Sequence, residues 1–175
     1  MAPIRICENP REPESMAALA VEQEIARLEG YLDRAMEEVF EKMIGLCCGV
    51  AADGEAAGGE TVAALIGLAG ALAGTVVVQC SRAGAMRACG GLTGVESTEV
   101  DETVRDAMGE LANMVAGAWK GYDPELTSRC LLSTPTIVVG QKYELFNRRA
   151  PIRFDRYYRF EDHVCAVTVS CQRAG

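Results

Sequence analysis

Glu110 and Asn113 stand three residues apart in the segment Asp106-Ala-Met-Gly-Glu110-Leu-Ala-Asn113-Met-Val-Ala-Gly117. On a helix that spacing projects a carboxylate and an amide from one face, one turn apart. The carboxylate accepts hydrogen bonds and pairs with a cation, while the amide both donates and accepts. Together they can hold a lysine and orient a water molecule, which is catalysis by positioning rather than by a covalent nucleophile. The same letters recur at Glu144-x-x-Asn147, in a segment that reads as a strand. Residues three apart on a strand point to opposite faces, so that copy cannot act as a pair. Spacing alone leaves an ordinary solvated helix face as the competing reading of Glu110 and Asn113, because two-letter patterns arise often by chance.

Other reactive side chains offer less. The eight cysteines, at 7, 47, 48, 80, 89, 130, 165 and 171, contain no CxxC and no zinc-type spacing, so they read as buried reduced thiols. His163 is the only histidine, and its place is a turn; this excludes a His-rich metal site and a triad built on any other histidine. The net charge of −8 and pI near 4.8 argue against a nucleic-acid binder, which needs clustered Lys and Arg. The opening residues MAPIRICENPREPE lack the apolar run of a secretory signal, and a cytoplasmic location is expected.

A chain of 175 residues with 49% hydrophobic content is long enough for one domain with a sizeable core. Residues 1–14 read as loosely attached, since prolines and charges leave little to bury, and Ser15 is a candidate helix cap. Val21, Ile25, Leu28, Leu32, Met36, Val39, Phe40 and Met43 recur at three- and four-residue steps, the signature of a helix with one buried face. Gly30 is a point where that helix bends or divides, and Gly45 and Gly49 close it. Residues 51–60 read as a flexible loop.

Val62 to Val78 runs 17 residues without a charge, the short limit for a membrane span. Its Gly and Ala content and the break at Gly70-Ala71-Leu72-Ala73-Gly74 favour a buried hairpin instead, with strands near Thr61–Ala69 and Thr75–Cys80. A short helix near Arg82–Cys89 is expected to stop at Gly90-Gly91. Glu96-Ser97-Thr98-Glu99 supplies acidic and capping groups for a second long helix over Val100–Lys120, ended by Gly121. Strands are then expected at Pro135–Gly140 and Gln141–Asn147, followed by a hairpin of Ile152–Phe160 and Val164–Cys171 turning at Glu161-Asp162-His163. The fold class is α+β, with two long helices packed on a mostly antiparallel sheet.

On the second helix, with Val104 as origin, Met108, Leu111, Val115, Ala118 and Trp119 fall within about 60° of it, while Asp106, Glu110, Asn113, Gly117 and Lys120 fall on the opposite side at about 160° to 240°. Gly109 and Gly117 cost helix stability relative to alanine. Two mid-helix glycines on an outward face imply that something approaches it closely.

These residues resemble the CheX/CheC/FliY family of chemotaxis phosphatases, its CheX branch above all. Asp106 to Gly117 looks like the family's D/S-x3-E-x2-N helix. Ile66-Gly-Leu-Ala-Gly70-Ala-Leu-Ala-Gly74 resembles the hairpin before it, and Ser133-Thr-Pro135-Thr-Ile-Val-Val-Gly140 the strand after it. The likeness spans Tyr31 to Cys171, which divides the chain into an N-terminal extension (1–30, loosely attached, then helical) and a phosphatase domain (31–175). It implies that the domain inserts Glu110 and Asn113 into the active site of a phosphorylated CheY-type receiver. Glu110 would pair with the receiver's lysine and Asn113 would position the attacking water, with Asp106, Gly109 and Gly117 in support. The phosphoaspartate and the Mg²⁺ would belong to the partner, so no cofactor is expected in this chain. The likeness also implies a homodimer.

Relatives of the CheC type carry the signature on both long helices. Aligning Gly45 with Gly117 places Glu38 at the glutamate position but Glu41 at the asparagine position, which implies one active helix. Two other readings stay open at this level: a non-catalytic module that binds a phosphorylated receiver, and an assembly part with an inert helix.

Overall fold

The computed structural model describes residues 13–51, 59–141 and 150–174. The first helix, α1 (Pro13–Val39), runs into a π-helical turn at Phe40–Ile44, closed by Gly45 in the left-handed conformation with φ 74°. It does not divide at Gly30, and it continues across residue 31 with Leu28 buried in the core on the near side. Because α1 begins at Pro13, Ser15 lies inside it rather than capping it. Residues 1–12, and positions 52–58 of the expected loop over 51–60, lie outside the described residues.

A two-residue strand, β1 (Gly49–Val50), precedes the hairpin of β2 (Thr61–Gly70) and β3 (Leu72–Ser81). The hairpin is longer than its sequence suggests because the small residues around Ala71 extend both strands to a tight reversal. Helix α2 (Arg82–Thr93) begins at Ser81, whose hydroxyl accepts from the Gly84 amide at 3.1 Å. It passes through Gly90-Gly91 and ends at Gly94. The reason lies in packing: a Cβ at Gly91 would stand 2.4 Å from the Ile44 methyl, so Gly91 lets α2 meet the end of α1 and is not a stop.

Helix α3 (Glu102–Gly121) is capped by Asp101 and not by the preceding Glu96–Glu99 stretch. It is followed by a short helix α4 (Pro124–Arg129) and strand β4 (Cys130–Leu132), neither expected from periodicity. Strand β5 (Thr136–Gly140) comes next. The expected strand at Gln141–Asn147, with the Glu144/Asn147 copy, falls almost entirely outside the described residues. The chain ends in the hairpin β6 (Ile152–Phe160) and β7 (His163–Arg173), turning at Glu161-Asp162. His163 therefore opens β7 and packs against Phe160 with the rings tilted, centroids 5.6 Å apart.

The seven strands form one antiparallel sheet in the order β1-β6-β7-β3-β2-β4, with β5 also on β2. The arrangement repeats about its centre: β1 pairs with β6 as β5 pairs with β2, and β3 pairs with β7 in the middle. The core takes alternate strand residues, such as Val62, Ala64, Ile66 and Leu68 of β2 and Cys165, Val167, Val169 and Cys171 of β7. All helices that bury against it thus share one sheet face. No described helix is long and apolar enough to cross a membrane. The described cysteines are free thiols, five of them buried.

Candidate functional site

Helix α3 is held rigidly from both ends and along most of its circumference. The Asp101 carboxylate accepts from the Val104 amide at 2.9 Å, satisfying one of the open N–H groups at the helix start. Toward the other end, the Trp119 indole N–H donates to the Leu28 carbonyl of α1 at 3.0 Å, inside the core. Val104, Met108, Leu111, Val115 and Trp119 are buried as the helical period requires, and Ala107, Ala112 and Ala116 widen the buried arc.

What remains open carries Asp106 and Glu110, both exposed, and Asn113 and Gly117, both half-buried. Among the described residues, neither Asp106, Glu110 nor Asn113 has a hydrogen-bond or ion-pair partner in its side chain. They share one face, and a rigid helix presents them without internal competition. Two members of the predicted set sit differently. Gly109 is buried, and a Cβ there would meet the Pro135 ring at 3.3 Å and Ile137 at 3.5 Å. The close approach that Gly109 permits is made by the chain's own segment ahead of β5, which widens the buried arc beyond the sheet-facing side. Lys120 is engaged inward, donating to the carbonyls of Thr127 at 3.3 Å and Cys130 at 2.7 Å. Gly117, by contrast, has nothing within 4 Å of an added Cβ.

The corresponding stretch of α1 behaves differently. Lys42 donates to Glu38 at 2.6 Å and the Tyr122 hydroxyl donates to the same carboxylate. These two hydrogen bonds hold the Glu38 carboxyl below its ordinary range. Glu38 is committed within the chain where Glu110 is free, and Glu41 stands where an amide would be needed.

Beside Glu110 lies a feature that the sequence reading did not find. An open groove between the last turn of α2 and the first half of α3 is lined by Leu92, Thr93, Glu102, Thr103, Asp106, Ala107 and Glu110. The helical period already aligns Glu102, Asp106 and Glu110, but nothing in the sequence places α2 beside them. Among the described residues, no group of three or more His, Cys, Asp or Glu side chains converges as a metal site.

The family model described as chemotaxis phosphatase CheX matches residues 62–154, more than half of the chain. No curated protein sequence matches. Among solved structures, the chain is similar to the chemotaxis protein CheX of Vibrio vulnificus, at 20% identity and a TM-score of 0.73, covering 85% of this chain and 98% of that one. It is also similar to a chain of the CheX–CheY–BeF3–Mg complex of Borrelia burgdorferi, at 17% identity and a TM-score of 0.62, with 83% and 97% covered. Thermotoga maritima FliY matches at 16% identity and a TM-score of 0.64, with 92% of each chain covered. At these identities the structural likeness establishes the shared fold.

Proposed function

Because the chain belongs to the CheX family of chemotaxis phosphatases, we propose that it hydrolyses the aspartyl phosphate of a CheY-type response regulator by inserting α3 into the regulator's active site. The observation that carries this reading is the free Glu110 and Asn113 pair on the one open face of an otherwise buried helix. In the proposed complex the Glu110 carboxylate pairs with the receiver's lysine, and the Asn113 amide orients a water in line with the phosphorus. Asp106 and Gly117 border the contact, and Gly109 seats the Pro135 segment against α3.

The phosphorylated aspartate and its Mg²⁺ belong to the partner, so this chain contributes position and the exclusion of bulk water. That is a modest demand: a 100-fold acceleration corresponds to about 2.7 kcal/mol. The protein acts in the cytoplasm, where response regulators are found, and as a homodimer formed along the β4/β5 edge of the sheet.

The test is phosphate release from a purified receiver phosphorylated by a small-molecule donor. Asn113→Ala is expected to abolish the stimulated rate and Glu110→Gln to lower it at least tenfold, with unchanged far-ultraviolet circular dichroism. Unchanged hydrolysis with every receiver of the source organism would overturn the reading. Binding without turnover would instead identify a module that sequesters the phosphorylated receiver.

A further inference from the structure

We infer that the groove beside Glu110 selects among receiver domains, taking an apolar side chain of the docked receiver flanked by a basic one. The inference rests on the function proposed above, because its occupant is the body that brings a lysine to Glu110. Glu110 is itself part of the groove's lining, so a partner that reaches this carboxylate also covers Leu92, Thr93, Glu102 and Thr103.

The groove has the chemistry of a specificity pocket. Its floor is apolar, with Ala107 6% exposed and Leu92 packed against the core. The Thr93 hydroxyl is spent within α2's last turn, donating to the Cys89 carbonyl at 2.8 Å and accepting from the Val95 amide at 3.2 Å. The Cys89 thiol donates to the Thr103 carbonyl at 3.8 Å, one link between the two helices that flank the groove. With a volume of about 520 Å³ open to solvent, it suits side chains from a protein surface better than a small molecule, which needs enclosure.

The rim fixes the sign of the partner. Glu102, Asp106 and Glu110 follow one another at four-residue steps on α3, and none has an ion pair among the described residues. Like charges at that spacing cost helix stability. The helix dipole favours Glu102 in the first turn but fades before Asp106 and Glu110. An apolar floor under an unpaired carboxylate rim is complementary to an aliphatic or aromatic side chain beside Lys or Arg.

Two variants test this from exposed positions: Thr103→Trp fills the groove, and Glu102→Lys reverses one rim charge. Each is measured for phosphate release from a panel of the source organism's phosphorylated receivers, and for binding of the same receivers activated with beryllofluoride. Both are expected to raise KM and Kd roughly tenfold, as loss of a central interface contact does, and to change the ranking of receivers. Asn113→Ala should instead act on kcat. If Glu102→Lys, and Thr103→Trp where it folds, leave KM, Kd and the ranking unchanged while Asn113→Ala abolishes turnover, the groove has no selective role and the proposed function stands. If wild-type protein neither binds nor dephosphorylates any receiver, both fall.

Discussion

Gly117 and Gly109 show how one residue type serves two ends on the same helix. Gly109 faces the inside of the molecule, where the Pro135 ring lies 3.3 Å from where its Cβ would be and would have to give by a few tenths of an ångström. Gly117 has open space instead and an ordinary helical backbone, so the fold gains nothing from its missing side chain. Replacing it by alanine removes chain entropy from the unfolded state, a gain of about 0.4 to 1 kcal/mol, or roughly 2 °C in Tm for a domain of this size. If Gly117 clears the way for a docked receiver, the same methyl group raises KM. The prediction is therefore a more stable and less active Gly117→Ala protein, read by thermal melts and receiver dephosphorylation. Higher stability with unchanged KM would show that the clearance serves no partner. The sequence marked both glycines as costly in a helix; only the path of the Pro135 segment separates their reasons.

At the level of elements, periodicity reveals what is long and half-buried, and little else. Helices α1 and α3 and the two long hairpins follow from apolar spacing, because each buries one face over many residues. Strands β1 and β4 are too short to have a period. Helix α4 carries only a local signal in Asp123-Pro124, a cap followed by proline at the first helical position, which has no period. The buried and half-buried thiols have a further consequence. Burial pushes Cys171 and Cys48 up to about 12, the hydrogen bond with Cys80 together with burial pushes Cys165 up, and burial with the Asp33 contact raises the Tyr158 phenol. Each folded-state value lies above the unfolded one, near 8.5 for a thiol, so the folded chain keeps protons that the unfolded chain releases. Stability from these groups is complete below about pH 8.5 and is lost as pH climbs toward 12. Urea midpoints should be level near neutrality and fall steadily above pH 9, less steeply in Cys48→Ala and Cys171→Ala. A flat profile to pH 10.5 would show that these thiols are not held neutral by the fold.

For the whole molecule, the two-fold repeat within the sheet makes its differences informative. Each half supplies a long helix and three strands of the repeat, with β4 additional in the second, yet the Glu38 carboxylate is held by Lys42 and Tyr122 while Glu110 is free, so only one half can engage a partner through this pair. The edges differ in the same way. On one side β6 extends beyond the short β1 and presents exposed Arg153 and Asp155, charges that discourage strand addition. On the other, β4 and β5 present Leu131 at 69% and Val139 at 38% exposure, with no such guard among the described residues. An unguarded edge of this kind offers a second copy a strand to pair with, and it is where the proposed homodimer would form. The double variant Leu131→Glu/Val139→Lys is therefore expected to convert a dimer into a monomer in light scattering while keeping most receiver phosphatase activity per chain. A monomeric wild-type protein, or a double variant that remains dimeric, would remove the β4/β5 edge from consideration. A monomer that loses activity along with the dimer would mean instead that assembly completes the site on α3.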